Sequence, residues 1–125
     1  VNRELFQKIN EVIETPEGVL SGNFAMDTWE DGHAECGTTR CVAGWAIHLT
    51  TNAPLHAGTG FHPSVTRLAE SMGLQQVDFE EMGARLLDLT KSDRWLFYTD
   101  VLTAADFVRR AARGDECGAR ALYDE

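Results

Sequence analysis

At 125 residues and 43% hydrophobic content, the chain can close one core without disulfide or metal staples. Its net charge of −9 argues against sequence-independent binding to phosphate backbones, which depends on Lys and Arg, so no nucleic-acid partner is expected. Residues 41–66 carry no Asp, Glu, Lys or Arg, but His48, Asn52, Pro54, Gly58 and Pro63 interrupt them before a bilayer could be spanned, so no membrane partner is expected either.

Leu5, Phe6, Ile9, Val12 and Ile13 recur at helical spacing with charged residues between them, and Asn2 is placed to cap the helix they form. Thr15 before Pro16 should end it near Glu14. Residues 15–37 hold Pro16, four glycines and scattered aromatics without a sustained period, and they read as an irregular connection. A second helix is predicted over about residues 38–50, opened by Thr38 or Thr39 and carrying Cys41, Val42, Trp45, Ile47 and Leu49. It is apolar almost all round, as a helix in the middle of a bundle should be, and Ala43, Gly44 and Ala46 would let neighbouring backbones come close.

Asn52-Ala53-Pro54 should end that helix, and Gly58-Thr59-Gly60 reads as a flexible loop. Pro63 suits the first turn of a third helix with Val65, Leu68, Ala69 and Met72 inward and Gly73 as its stop. Asp78 with Glu81 predicts a fourth helix from Phe79 to about Leu89. Thr90 with Asp93 opens a short helix carrying Trp95, Leu96 and Tyr98, and Thr103 with Asp106 opens a last one that stops at Gly114. Arg109, Arg110 and Arg113 near its end complement the helix dipole. The expected architecture is an all-α compact bundle of five to six short helices around the central one, in a single domain over residues 1–125.

The stretch with most chemical content is the cysteine turn, Cys36, Gly37, Thr38, Cys41, Gly44 and Trp45. A four-residue gap between cysteines is not the two-residue spacing of common redox motifs or zinc knuckles. Buried small hydrophobes are therefore the leading reading of the pair, with a disulfide between Cys36 and Cys41 as one alternative. Another alternative is zinc held by His33, Cys36, Cys41 and Cys117, because His48 lies two helical turns from Cys41 and cannot share an ion with it. A helix beginning at Thr38 would set Cys36 just ahead of a positive dipole end that favours thiolate. His56 and His62 flank the glycine loop as candidate bases, and no established catalytic motif accompanies them. No cofactor is expected, and a noncatalytic protein is favoured over an enzyme.

Phe24-x-Met26-x-x-Trp29 followed by Cys36-Gly37-Thr38-x-x-Cys41-x-Ala43-Gly44-Trp45-Ala46 resembles a signature of small uncharacterised proteins from bacteriophages and actinobacteria. Leu86-Leu87-Asp88-Leu89-Thr90 and Leu96-Phe97 are similar to a later segment of that family, although the Trp-Pro that follows there is missing here. The resemblance implies a phage-type accessory protein acting on a host or phage protein inside the host cytoplasm, in keeping with three cysteines and no recognisable export signal. Asp27, Trp29, Glu30 and Asp31 are the first candidates for its partner surface. A DNA mimic, with carboxylates spaced like phosphates, is a third reading, set back by the interleaving of Arg85, Arg94 and Arg109 among the acids.

Overall fold

The computed structural model describes residues 1–14, 26 and 41–115, and these form an all-α bundle with one small hairpin of two two-residue strands. Helix α1 (Arg3–Ile13) starts where Asn2 accepts a hydrogen bond from the Leu5 N–H and ends at an extended Glu14, as the sequence predicts. Its inward side chains Leu5, Phe6, Ile9 and Ile13 pack along α5 (Val101–Ala112), which supplies Ala104, Phe107, Val108 and Ala111. The Phe6 and Phe107 rings meet at 5.8 Å. The two helices are also tied by polar contacts. Arg3 and Gln7 both donate to the Ala112 carbonyl, an acceptor the end of α5 leaves open, and Arg109 grips the Glu14 carboxylate with two donors.

Helix α2 (Val42–Thr51) is central, touching α1, α3 (Pro63–Ser71), α4 (Phe79–Leu86) and the 3₁₀ helix (Lys91–Tyr98). Its all-round apolar sequence has a direct cause, because it serves two clusters at once. Val42, Ala43, Trp45 and Ala46 belong to the main core with α1, α5, Leu87, Leu96 and Phe97. Ile47 belongs to a smaller core with Leu55, Val65, Ala69, Phe79 and Met82. α2 and α4 approach so closely at Gly83 that a Cβ built there would lie 2.8 Å from the Ala43 Cβ.

The expected start of α2 is corrected: it begins at Val42, capped by an extended Cys41, and not at Thr38 or Thr39. The Cys41 sulfur accepts from the Gly44 N–H at 3.4 Å, doing the work that a Ser or Thr oxygen usually does. The glycine loop is corrected too. Strands β1 (His56–Ala57) and β2 (Gly60–Phe61) pair antiparallel around Gly58-Thr59, with Gly58 at the positive φ that a type II′ turn needs at its first central residue.

Helix α3 carries Pro63 in its first turn and stops at Gly73, with φ +77, as expected; its cap is the imidazole of His62, which accepts from the Ser64 N–H. Helix α4 ends at Leu86 instead of about Leu89. Asp88 turns left-handed, and the Leu89 N–H reaches back to the Ala84 carbonyl in a Schellman closure made without glycine. Helix α5 begins at Val101, ahead of the Thr103 start read from the sequence, because Asp100 caps it by accepting from both the N–H and the hydroxyl of Thr103. Among the described residues no helix is long and apolar enough to cross a membrane.

Candidate functional site

Of the cysteine turn, the structure describes Cys41, Gly44 and Trp45, whereas Cys36, Gly37 and Thr38 lie outside the described residues. Cys41 carries a free thiol and is 2% exposed. Burial pushes this thiol above its ordinary value, and the N–H groups of Gly44 and Ala43 that favour thiolate offset only part of that effect. A cysteine at a helix N-terminus is usually primed for chemistry; here desolvation reverses the sign, and the sulfur serves as a neutral cap. Trp45 is buried one turn along, its ring set edge-on to His48 at 5.5 Å. His48 faces the Ala53 carbonyl at 2.7 Å through Nδ1, closing the end of α2. Cys41 and Trp45 thus fix the helix into the main core.

Among the described residues, no three His, Cys, Asp or Glu side chains stand together to hold a metal ion. His33, Cys36 and Cys117, the other members of the zinc alternative, lie outside those residues, as do the partner-surface candidates Asp27, Trp29, Glu30 and Asp31.

A different surface comes into view at the start of α4. Asp78 caps this helix through a bond from the Glu81 N–H. Glu81 does not close the reciprocal capping box; it receives Arg85 at 2.9 Å and Arg94 at 2.7 Å, joining α4 to the 3₁₀ helix. The Arg94 and Arg85 guanidinium groups hold its carboxyl below the usual range. Desolvation of the Tyr98 hydroxyl, followed by the nearby negative charge of Glu80 and Asp78, raises the phenol above its ordinary value.

On the other side of Glu80, Phe79 turns inward and is covered by the hairpin. Its ring meets Phe61 at 5.5 Å and His56 at 5.8 Å, both edge-on. His56 is thereby an aromatic neighbour on an exposed hairpin, and His62 is a helix cap. Phe61 remains 45% exposed, and Tyr98 and Leu102 are each 70% exposed. Asp100, between those two, is fully exposed at the head of α5.

Helical spacing sets Tyr98 among the apolar residues of its helix, and neither Phe61 nor Leu102 belongs to a sequence motif. One signal was available: Leu102 shares a helical face with Asp106 and Arg109, where a buried leucine has no place. The pairing of Phe61 with Phe79 joins a hairpin to a helix and has no local signal. No family model, curated protein or solved structure matches the chain.

Proposed function

We propose that this is a noncatalytic accessory protein of phage type, which binds a host or phage protein in the host cytoplasm and modulates it. The observation that carries this reading is the exposure of Phe61, Tyr98 and Leu102, whereas the other large apolar side chains among the described residues pack in or against two cores. Large side chains left in water beside helix termini are a cost in isolation and an asset at an interface, where aromatic anchors supply much of the binding energy. The resemblance of the cysteine turn to small phage and actinobacterial proteins supports the same reading.

The neutral, capping role of Cys41 weighs against the thiol-redox alternative, because a nucleophilic sulfur must be exposed and ionised. A DNA mimic needs a face of carboxylates alone, whereas arginines stand among the acids here: Glu14 and Asp106 share Arg109, and Glu81 is held by Arg85 and Arg94. The test is affinity capture with the full chain from actinobacterial lysate, followed by titration of the captured protein. A saturable, stoichiometric partner whose own activity changes on binding is the expected result. Capture that never saturates, or a partner indifferent to binding, would overturn the reading.

A further inference from the structure

The geometry points to a docking strip formed by Phe61, Asp78, Glu80, Tyr98, Asp100 and Leu102, which takes a segment of a partner protein bearing Lys or Arg beside a bulky apolar side chain. This rests on the accessory-protein reading and names the surface and the chemistry of the partner. Phe61 and Tyr98 flank the first turn of α4, one packed on Phe79 and the other within the electrostatic reach of Glu80 and Asp78, and Leu102 follows in the first turn of α5. Three carboxylates are interleaved with these apolar groups. Arg94, which feels the charge of both Asp78 and Glu80, is bound to Glu81 at 2.7 Å.

Charge decides which occupant fits. Residues 15–25, 27–40 and 116–125, which lie outside the described part, carry eight acids and two bases, so the chain's own remaining segments share the sign of the strip. A second copy brings another net charge of −9 and is disfavoured for the same reason. A basic segment of another protein is complementary. Its cation would meet Glu80 and Asp100 while its apolar residue covered Tyr98 and Leu102, the arrangement of charged rim around apolar anchor found in specific interfaces.

The test is selection of displayed random dodecapeptides on the immobilised full chain, with affinities then measured for the wild type and for the variants Tyr98→Ser/Leu102→Ser and Glu80→Lys. Enriched peptides should be net positive with one large apolar residue, and should bind more weakly as salt rises. The double variant should lose about tenfold or more in affinity, the scale of one lost apolar anchor, and Glu80→Lys should lose affinity as well. Both altered apolar side chains are mostly in water, so the double variant should melt with the wild type; if it does not, Glu80→Lys and Phe61→Ser carry the comparison. Neutral or acidic winners, no enrichment, or unchanged binding in the variants would overturn the strip. A captured natural partner that binds the double variant as tightly as the wild type would remove the strip and leave the accessory role standing. Charge-dependent peptide binding at the strip without any saturable natural partner would do the reverse.

Discussion

Substituting Gly83 by alanine tests the close approach of α2 and α4. The added Cβ would lie 2.8 Å from the Ala43 Cβ, 3.1 Å from its Cα and 3.4 Å from Phe97 Cζ, against about 3.5–4.0 Å for comfortable carbon contacts. Neither Ala43 atom can swing aside by changing rotamer, so α2 and α4 must move apart and disturb both cores that α2 joins. Alanine is favoured over glycine in a helix interior by about 1 kcal/mol. Overpacking costs about 1–3 kcal/mol, and a rigid, backbone-level clash belongs in the upper half of that range. The net effect should be destabilisation by about 1–2 kcal/mol, seen as a melting point lower by roughly 4–8 °C for a domain of this size. Thermal and denaturant unfolding followed by far-UV circular dichroism would measure it. A double-mutant cycle with Ala43→Gly isolates the contact: the two changes together should cost less than the sum of each alone. A Gly83→Ala protein that melts at or above the wild-type temperature, or strict additivity in the cycle, would refute the close approach.

Cys41→Ala should cost about 1–2 kcal/mol in denaturant unfolding, because it removes the acceptor for the Gly44 N–H at the start of the central helix. The Cys41 thiol should alkylate slowly in the folded protein and rapidly after denaturation, as peptide mapping of the modified residue would report. Its folded pKa is raised, so the protonated form is the one the fold favours; any contribution to stability is full below the ordinary thiol value and is lost as pH climbs from there through the folded value. Glu81 has the opposite sign. Its carboxyl is held low by Arg94 and Arg85, so its contribution is present above the ordinary carboxylate range and is lost as pH falls through the depressed value. Glu81→Gln should therefore lower stability at neutral pH by less than about 1 kcal/mol, as a partly exposed pair allows, and should flatten the acid limb of the stability profile.

Where a boundary in this fold is set by a residue's usual chemistry, it was legible in the sequence. Asn2 capped α1, Pro63 opened α3, and Gly73 and Gly114 closed their helices at positive φ. The boundaries that moved were set by residues acting out of type. Cys41 caps with sulfur, Asp88 takes the left-handed position that glycine usually fills, and Asp100 claims the Thr103 hydroxyl expected to cap on its own account. Each is a choice between local hydrogen bonds that tertiary packing decides: the Leu89 N–H returns to Ala84 while Leu87 enters the main core, and that burial helps to hold Asp88 where glycine would sit without strain. The central role of α2 was written in its unbroken apolar run, but its closest neighbour was not. The small residues Ala43, Gly44 and Ala46 mark where a neighbour can come close, and at Ala43 α4 does so; Gly83, the residue that meets it, stands forty residues later with no local signal. The docking strip follows the same rule. Leu102 on a polar helical face is a one-dimensional signal that can be read from spacing alone, but Phe61 and Tyr98 acquire meaning only when α4 sets Phe79 and Glu80 side by side between them. A surface assembled from a hairpin, a helix start and the end of a 3₁₀ helix carries no periodicity, and so it becomes visible only after the two cores have accounted for every other large apolar side chain among the described residues.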